Sequence, residues 1–299
     1  MKYRRLGKTG LNVSVVGVGT WQFGGEWGKA FAQTEVDAIM DRARALGINL
    51  LDTAECYGDH LSERLVGQAI KRDRKKWIVA TKFGHRFVAH LQREQRWSPE
   101  DVSKQLHDSL RALGTDYVDL YQFHSGSNAA FDEDALWEML ERHVESGKIR
   151  HLGISLSPNT NMHQVSRASM VGVSTIQVIY NRLDRAPEAE VLPACGEQDL
   201  GVLARVPLAS GLLSGKYKPG ATFDNPEDVR AQRDPADLQR QLAEVERIRA
   251  KEVSPGIPMA GWALAWCLTN DAVTCVIPGC KSPEQVESNA AAAKLLPLS

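Results

Sequence analysis

Eight short apolar runs recur along the chain, and a segment with helical periodicity follows each of them. Most of the runs are rich in β-branched residues, which favours buried strands. Strict alternation of strands and helices is typical of a parallel sheet with right-handed crossovers. Eight such units in 299 residues predict an α/β fold, the (β/α)8 TIM barrel. The runs cover residues 15–19, 48–52, 77–81, 117–123, 151–155, 175–180, 201–206 and 273–277.

Segments outside the eight runs complete the expected fold. Residues 2–14 are expected to form an N-terminal β-hairpin that precedes the barrel. The longest gap separates strands 7 and 8, and it predicts a long loop near 214–234 followed by helices over 237–253 and 259–269. No linker or low-complexity tract interrupts the sequence, so we expect residues 1–299 to form a single barrel domain.

Hydroxyl-bearing residues mark the predicted beginnings of several helices. Ser98 precedes a proline at the first helical position and two acidic residues in the first turn, which is a strong N-terminal signal. Gly114 is expected to end the same helix. Thr34, Ser62 and Ser282 are also expected to cap helices, because their hydroxyl oxygens can accept a hydrogen bond from a free backbone N–H group.

The charge balance and the cysteine pattern exclude several classes of protein. Lys and Arg number 36 against 37 Asp and Glu, so a nucleic-acid partner, which needs a basic surface, is not expected. No apolar stretch reaches the ~18–20 residues of a membrane span, and no signal-peptide pattern follows the N-terminus, so membrane association is not expected. The five cysteines form no CxxC pair, which predicts reduced thiols, no metal site and a cytoplasmic location.

Polar residues at the C-terminal ends of consecutive strands give the strongest functional signal, because barrel enzymes place their active sites at that face. Asp52 ends the second strand, Lys82 the third and His124 the fourth, while Tyr57 follows Asp52 by five residues. Each alone has an ordinary explanation: a turn-forming acid, a solvated lysine, a structural histidine or an aromatic residue at the rim. Together, on three successive strand ends, they indicate a shared site at the barrel mouth.

These four side chains have complementary chemistry. Tyrosine is a poor acid at neutral pH, and a neighbouring lysine ammonium stabilises the phenolate and lowers the pKa of the phenol. A carboxylate keeps the lysine charged, and a neutral histidine can donate a hydrogen bond to a carbonyl oxygen. Such a set protonates an oxygen that gains negative charge, as carbonyl reduction requires. The hydride must come from a cofactor, because no side chain supplies one.

Several motifs spread over nearly the whole chain point to one family. They are Tyr3-Arg4-Arg5-Leu6-Gly7, Leu51-Asp52-Thr53-Ala54, Tyr57-Gly58, Thr81-Lys82, the segment 116–124 and Gly147-Lys148-Ile149-Arg150. Together they resemble the aldo-keto reductases, nicotinamide-dependent enzymes built on a (β/α)8 barrel. The resemblance implies an NAD(P)H-dependent oxidoreductase that reduces aldehydes or ketones, or oxidises the alcohol, and whose substrate is a small carbonyl or alcohol compound.

Carried over position by position, the resemblance implies that Tyr57 is the general acid and that Lys82 tunes it. It also implies that Asp52 pairs with Lys82 and that His124 orients the substrate carbonyl. The implied substrate pocket consists of Trp21, Trp27, Tyr57 and His124. The implied cofactor-binding residues are Gly19, Thr20, Trp21, Asp52, Ser155, Gln177, Arg205, Pro207, Leu208, Ser210, Gly211, Lys216, Gly279, Lys281, Gln285 and Asn289.

Three positions depart from the family pattern. Leu156 stands where many members have Asn beside the serine that holds the nicotinamide carboxamide, which implies one contact fewer. Arg205 stands where many members stack a tyrosine on the nicotinamide, and a guanidinium can stack on that ring or reach the pyrophosphate. Gln285 stands where some members hold the 2′-phosphate with Arg, but Lys281 can receive that phosphate. NADP(H) is therefore the favoured cofactor, and NAD(H) is the alternative.

Two other functions stay open from the sequence. Potassium-channel β-subunits share the aldo-keto reductase scaffold, so a nucleotide-sensing regulatory subunit is the alternative to an enzyme. A barrel isomerase or aldolase with Lys82 as a Schiff-base lysine is a third hypothesis, although the spacing of Tyr57 and the pyrophosphate loop favour the reductase. Neither the individual substrate nor the oligomeric state is predicted, because specificity in this fold depends on loops.

Overall fold

All eight predicted strands form, and they lie side by side in one parallel sheet of the computed structural model, which describes residues 1–296. Residues 297–299, the end of the predicted domain, lie outside the described part. In chain order the strands are β1 (Tyr3–Arg5), β2 (Asn12–Ser14), β3 (Val18–Gly19), β4 (Leu50–Asp52), β5 (Ile78–Phe83), β6 (His85–Ala89), β7 (Gln92–Gln95), β8 (Val118–His124), β9 (Ile149–Ser155), β10 (Val173–Ile179), β11 (Gly201–Arg205) and β12 (Cys275–Val276). The parallel sheet runs β3, β4, β5, β8, β9, β10, β11, β12, while β1 pairs with β2 and β6 with β7.

The sheet closes into a barrel through contacts between its first and last strands. The Gly17 N–H donates to the Val276 carbonyl (2.8 Å), and the Val276 N–H donates to the Val15 carbonyl (3.0 Å). A parallel bridge joins Gly19 and Gly279 at the C-terminal end of this seam. The predicted (β/α)8 barrel is therefore confirmed.

Helices follow the barrel strands, as the alternating pattern predicts. None of the helices within the described residues is long and apolar enough to cross a membrane. In chain order they are α1 (Gln33–Ala45), α2 (Leu61–Ile70), α3 (Pro99–Leu113), α4 (Asn128–Phe131), α5 (Asp134–Glu145), α6 (Met162–Arg167), α7 (Val191–Glu197), α8 (Pro235–Glu252), α9 (Met259–Leu268) and α10 (Pro283–Ala291).

Buried apolar side chains form two clusters that involve the barrel strands. The larger cluster joins the strands to the helices around them, with Val79 from β5, Ile39 from α1 and Leu106 from α3 among its members. The other cluster fills the barrel interior, where the N-terminal hairpin adds Leu6 and Val13. Its strand members are Leu50, Ala80, Leu120, Leu203 and Cys275. The hairpin therefore packs against the interior of the barrel.

Three of the predicted helix signals are confirmed. The Ser98 hydroxyl oxygen accepts a hydrogen bond from the Asp101 N–H (3.1 Å), and Gly114 ends α3 in the left-handed region (φ 63°). The Ser282 hydroxyl oxygen likewise accepts from the Gln285 N–H (3.4 Å) at the beginning of α10.

Two predicted caps are wrong. Helix α1 begins after Ala32, so Thr34 lies inside it, and the Glu35 carboxylate accepts from the Ala32 N–H (2.9 Å). Helix α2 begins one residue before Ser62, whose hydroxyl donates to the Thr20 carbonyl (3.0 Å). In α1 a neighbouring carboxylate serves the N-terminus. In α2 the first N–H groups donate to the Gly58 and Tyr57 carbonyls, so the Ser62 hydroxyl is available for a tertiary hydrogen bond.

Two segments shape the C-terminal end of the barrel. The predicted long loop lies between β11 and α8, and α8 and α9 confirm the two helices expected after it. The hairpin of β6 and β7 is not predicted, because its sequence lacks a sustained alternation of apolar and polar residues. Both segments contribute side chains to the cleft at the barrel mouth.

Candidate active site

A layer of polar residues lies directly above the apolar barrel interior. Asp52, Lys82 and Gln122 each follow an interior apolar residue by two positions, so the alternation of strand side chains turns them to the same face. The Lys82 ammonium donates to Asp52 Oδ2 (2.8 Å) and to the Thr53 carbonyl (2.6 Å). It also lies 3.3 Å from the Tyr57 hydroxyl oxygen.

A tight loop after β4 returns Tyr57 over this polar layer. The Tyr57 N–H donates to the Ala54 carbonyl (3.2 Å), and Gly58 adopts the left-handed region (φ 65°). A Cβ at Gly58 would lie 2.5 Å from the Gly24 carbonyl oxygen, so the two loops are too close for a larger residue at this position. The close approach of the loops fixes the backbone beside Tyr57.

Lys82 is fully buried, and its charge depends on the Asp52 carboxylate. Burial disfavours the ammonium, but the attraction of Asp52 and of the Tyr57 phenolate outweighs burial and raises the pKa of Lys82 above its usual range. Asp52 Oδ1 also accepts hydrogen bonds from Gln177 Nε2 (2.7 Å) and Gln122 Nε2 (3.1 Å). Lys82 is therefore held as an ammonium next to the Tyr57 hydroxyl.

The pKa of Tyr57 departs from the direction expected from the sequence. Burial raises the pKa of Tyr57 to about 12, although the Lys82 ammonium acts in the lowering direction. The sequence predicts only the effect of the lysine, because the burial of a loop residue is not visible in the sequence. Tyr57 is consequently protonated at neutral pH.

His124 ends β8 beside Tyr57, with ring centroids 6.3 Å apart and ring planes at 83°. Burial, together with the nearby Lys82 charge, lowers the pKa of His124 well below its usual value, so the imidazole is neutral. His85 Nε2 donates to the His124 carbonyl (2.6 Å) and holds the end of the strand. A neutral imidazole keeps one N–H group that can donate a hydrogen bond to a ligand oxygen.

A cleft of about 610 Å³ opens over these residues at the C-terminal end of the barrel. Most of the predicted site residues line it, but Lys82 and Ser155 lie behind its wall. Ser155 is buried, and its hydroxyl donates to Gln177 Oε1 (3.4 Å). The predicted residues that line the cleft are Gly19, Thr20, Trp21, Trp27, Asp52, Tyr57, His124, Gln177, Arg205, Pro207, Leu208, Ser210, Gly211, Lys216, Gly279, Lys281, Gln285 and Asn289.

Cationic side chains gather at one end of the cleft. Lys216, Arg230 and Lys281 all line it there, and the Lys281 ammonium donates to the Trp27 carbonyl (2.7 Å). Burial, and then repulsion from Arg230, lowers the pKa of Lys281. Arg230 pairs with Asp228 (2.6 Å), so within residues 1–296 these three cations face one carboxylate. Such a surplus of positive charge suits a phosphate group.

Arg205, at the end of β11, has a donor that the described residues leave unused. Its Nη2 donates to the Leu156 carbonyl (3.1 Å), while its buried Nε has no hydrogen-bond partner within residues 1–296. Buried polar groups without a partner are rare in folded proteins. The unpaired Nε of Arg205 is therefore an unusual feature of a guanidinium that also lines the cleft.

Aromatic rings form the wall beside Tyr57. Trp21 lies nearly parallel to Tyr57, with ring centroids 6.0 Å apart and planes at 24°. Trp27 meets the Trp21 ring edge-on, with centroids 5.2 Å apart. The Trp21 Nε1–H donates to Glu26 Oε2 (2.6 Å), so the carboxylate of Glu26 fixes the indole that faces Tyr57.

Three charged residues of the site are not among those predicted from the sequence. Arg93, on β7, lines the cleft and pairs with Glu26, and Arg230, in the long loop, lies over the Trp27 ring with its Cζ 5.5 Å from the centroid. The position of Glu26 between two tryptophans, in the loop after the first barrel strand, was a usable signal. Nothing in the sequence marks Arg93 or Arg230, because neither residue lies at the end of a predicted barrel strand.

A group of potential metal ligands also lies beside the cleft. Donor atoms of Glu55, Cys56 and His124 are within 4.8 Å of one another, with Cys56 Sγ 3.9 Å from His124 Nδ1. Burial raises the pKa of the Cys56 thiol, which disfavours the thiolate that a metal ion binds. The absence of a metal site stays a prediction.

Comparison with known proteins identifies relatives over nearly the full chain. The family model described as the Aldo/keto reductase family matches residues 15–299. The uncharacterized oxidoreductase YqkF of Bacillus subtilis is 34% identical over 296 residues, which cover 98% of this chain and 91% of that protein. The NADH-specific methylglyoxal reductase of Escherichia coli is 33% identical over 312 residues, which cover 98% of this chain and 93% of that enzyme.

Solved structures with the same fold include two further oxidoreductases. The holo form of the aldo-keto reductase AKR11C1 from Bacillus halodurans is 34% identical, with a TM-score of 0.83 over 100% of this chain and 93% of the other. The glycerol dehydrogenase AKR11B4 from Gluconobacter oxydans is 28% identical, with a TM-score of 0.81 over 94% of this chain and 87% of the other.

Proposed function

The chain belongs to the aldo/keto reductase family, and on this basis we propose that it reduces small aldehydes or ketones with a nicotinamide cofactor, or oxidises the corresponding alcohols. The observation that carries the proposal is the position of the Tyr57 hydroxyl. Tyr57 lines the cleft, and its hydroxyl oxygen lies 3.3 Å from Lys82 Nζ. A phenol held protonated beside a buried ammonium is suited to give its proton to an oxygen that gains negative charge.

Four side chains of the site have separate roles in this mechanism. Tyr57 gives its proton to the substrate oxygen, and the Lys82 ammonium stabilises the phenolate that is left. Asp52 keeps Lys82 charged, and the neutral imidazole of His124 donates a hydrogen bond that orients the carbonyl. In alcohol oxidation the Tyr57 phenolate takes the proton back. A nicotinamide held in the cleft would supply the hydride for reduction of the carbonyl carbon or accept it in alcohol oxidation.

The cleft residues fit a nicotinamide dinucleotide. The Arg205 guanidinium and the pair of Ser155 and Gln177 lie near Asp52, where the nicotinamide end would bind. Lys216 and Arg230 lie where the negative charge of a pyrophosphate would be neutralised. Gly19 allows the two backbone segments at the barrel seam to approach closely, since a Cβ there would lie 2.6 Å from the Ile277 carbonyl oxygen.

NADP(H) is the cofactor that the charge distribution favours. Burial and the neighbouring Arg230 both oppose the charge of Lys281, and a 2′-phosphate beside its ammonium would relieve that cost. Gln285 Oε1 accepts from the Lys281 N–H (2.8 Å), so the two residues are held together at the beginning of α10. NAD(H) is the second candidate, since the Escherichia coli relative is named as NADH-specific.

The environment of Lys82 argues against Schiff-base chemistry in this barrel. A Schiff-base lysine must lose its proton to act as a nucleophile. Lys82 is fully buried against Asp52 and the Thr53 carbonyl, and its pKa is raised rather than lowered. These contacts favour a lysine that acts through its charge.

The experiment that tests the proposal measures initial rates of cofactor consumption with 4-nitrobenzaldehyde, using NADPH and NADH in turn. We expect the wild-type protein to consume NADPH with formation of one equivalent of the alcohol. Lys281→Met should raise the KM for NADPH about tenfold or more and leave that for NADH nearly unchanged, because one charged contact is lost. Lys71→Met, outside the cleft, is the matched control. No turnover with either cofactor would contradict the proposed function, and equal effects of Lys281→Met on both cofactors would contradict the cofactor preference.

A further inference from the structure

A positively charged side chain lines the cleft next to the loop that carries Tyr57. Arg93 reaches this position from the β6–β7 hairpin, with 18% of its side chain exposed. Its Nη2 donates to the carbonyl of Cys56 (3.2 Å), the residue before Tyr57. A substrate carbonyl that reaches the Tyr57 hydroxyl would therefore bring its substituents close to this guanidinium.

The charge of Arg93 is balanced by a carboxylate that no ligand can reach. Glu26 is fully buried, and both of its carboxylate oxygens accept hydrogen bonds from Arg93 Nη2. Glu26 Oε2 also accepts from Trp21 Nε1 (2.6 Å), and Oε1 accepts from the Leu91 N–H (3.1 Å). The carboxylate is fully hydrogen-bonded, as a buried charge requires.

Three other titratable side chains that line this part of the cleft are neutral. Burial lowers the pKa values of His85 and His124 and raises that of the Cys56 thiol, so none of them carries charge at neutral pH. Trp21 and Trp27 complete the wall. Lys82 is paired with Asp52, and the Arg205 guanidinium is common to all the variants compared below, so a change in the local charge comes from Arg93 and Glu26.

We propose that Glu26 determines which substrates the cleft accepts, by neutralising Arg93 so that uncharged carbonyl compounds bind and carboxylate-bearing ones do not. This inference rests on the proposed function. A carboxylate that enters the aromatic pocket loses its hydration. Arg93 offers it no net positive charge, because the guanidinium is already paired with the Glu26 carboxylate. A neutral aldehyde has no charge to desolvate, and it packs against the two indole rings. Without the Glu26 charge, the same guanidinium would attract carboxylates.

The test compares kcat/KM for 4-carboxybenzaldehyde and 4-nitrobenzaldehyde, which have similar shapes but differ in net charge. We expect Glu26→Gln to raise the ratio of carboxy to nitro substrate about tenfold or more, since it frees the Arg93 charge. The glutamine oxygen can still accept from Trp21, so the indole keeps its position. Arg93→Gln leaves the Glu26 carboxylate without its cationic partner, and this negative charge should lower the ratio of carboxy to nitro substrate. The double variant Glu26→Gln/Arg93→Gln restores neutrality and should return the ratio close to the wild-type value.

Opposite signs in the two single variants separate a charge effect from a structural one. Loss of Trp21 packing alone would change kcat/KM for both substrates by the same factor. The ratio of the two kcat/KM values would then be equal in every variant, which would overturn the inference.

If Glu26→Gln does not fold, Arg93→Gln carries the test with the opposite sign. Quenching of tryptophan fluorescence by NADPH reports folding independently of turnover. A wild-type protein that reduces neither aldehyde would contradict the proposed function itself, whereas an active wild type with a ratio that is equal in all variants would overturn this inference alone.

Discussion

At the scale of single residues, the site depends on a lysine that is kept charged inside the barrel. Lys82 is fully buried, and Asp52 is the carboxylate that compensates its charge (2.8 Å). A buried pair adds little to stability as a whole, but the loss of one partner leaves an uncompensated charge in a medium of low polarity. The pair is therefore explained by what it does for Tyr57 rather than by the stability that it contributes.

Replacement of Lys82 tests this view. Lys82→Met should lower the free energy of unfolding by about 3–5 kcal/mol, because the Asp52 carboxylate stays buried without its partner. The double variant Asp52→Asn/Lys82→Met should recover most of the stability but no turnover, since the charge beside Tyr57 is absent. Urea denaturation and initial rates on the same preparations give both quantities. A Lys82→Met variant as stable as the wild type would contradict the assignment of this pair.

The site residues at the ends of barrel strands could be predicted, because their position depends only on where the strands end. Asp52, Lys82 and His124 each end or nearly end an apolar run, and such ends meet at one face of a barrel. The pairing of Arg93 with Glu26 could not be predicted, because the two residues are 67 positions apart and become partners only through the fold. Burial was likewise invisible in the sequence, so the sequence predicts the lowering effect of Lys82 on the pKa of Tyr57 but not the larger opposing effect of burial.

At the scale of elements, local signals succeeded where no tertiary contact competed with them. The sequence around Ser98 contains the cap, the proline and the first-turn acids of α3, and all of them take the predicted positions. Thr34 and Ser62 have the same hydroxyl chemistry but lie inside their helices. The β6–β7 hairpin is stabilised by contacts outside itself, such as the pairing of Arg93 with Glu26, so its own sequence carries little strand signal.

The caps can be distinguished by substitution. Ser98→Ala should lower the free energy of unfolding by about 1 kcal/mol, because the Asp101 N–H loses its acceptor. Thr34→Ala is the matched control, and we expect its effect to stay within about 0.5 kcal/mol, since this exposed residue caps nothing. Thermal or urea denaturation measures both. Equal losses in the two variants would show that the cap at Ser98 contributes no specific stabilisation.

At the scale of the whole molecule, the alternation of strands and helices was sufficient to predict the barrel but not the shape of the cleft above it. Closure follows from eight strands in sequence order, with β3 and β12 meeting at the seam. The cleft is completed by loops that come from distant parts of the chain: Trp27 bridges to Asp228, and the Val229 N–H donates to the Glu26 carbonyl (3.2 Å). Such contacts depend on loop conformation, which apolar periodicity does not describe.

The measurement that tests the mechanism most directly compares Tyr57→Phe with the wild-type protein under saturating NADPH. Turnover of 4-nitrobenzaldehyde and binding of NADPH, followed by the fluorescence of the seven tryptophans, are measured on the same sample. The mechanism predicts unchanged cofactor binding and a loss of turnover of about 10²–10⁴-fold, because only the proton donor is removed. A Tyr57→Phe variant that binds NADPH and turns over at the wild-type rate would contradict the role of Tyr57.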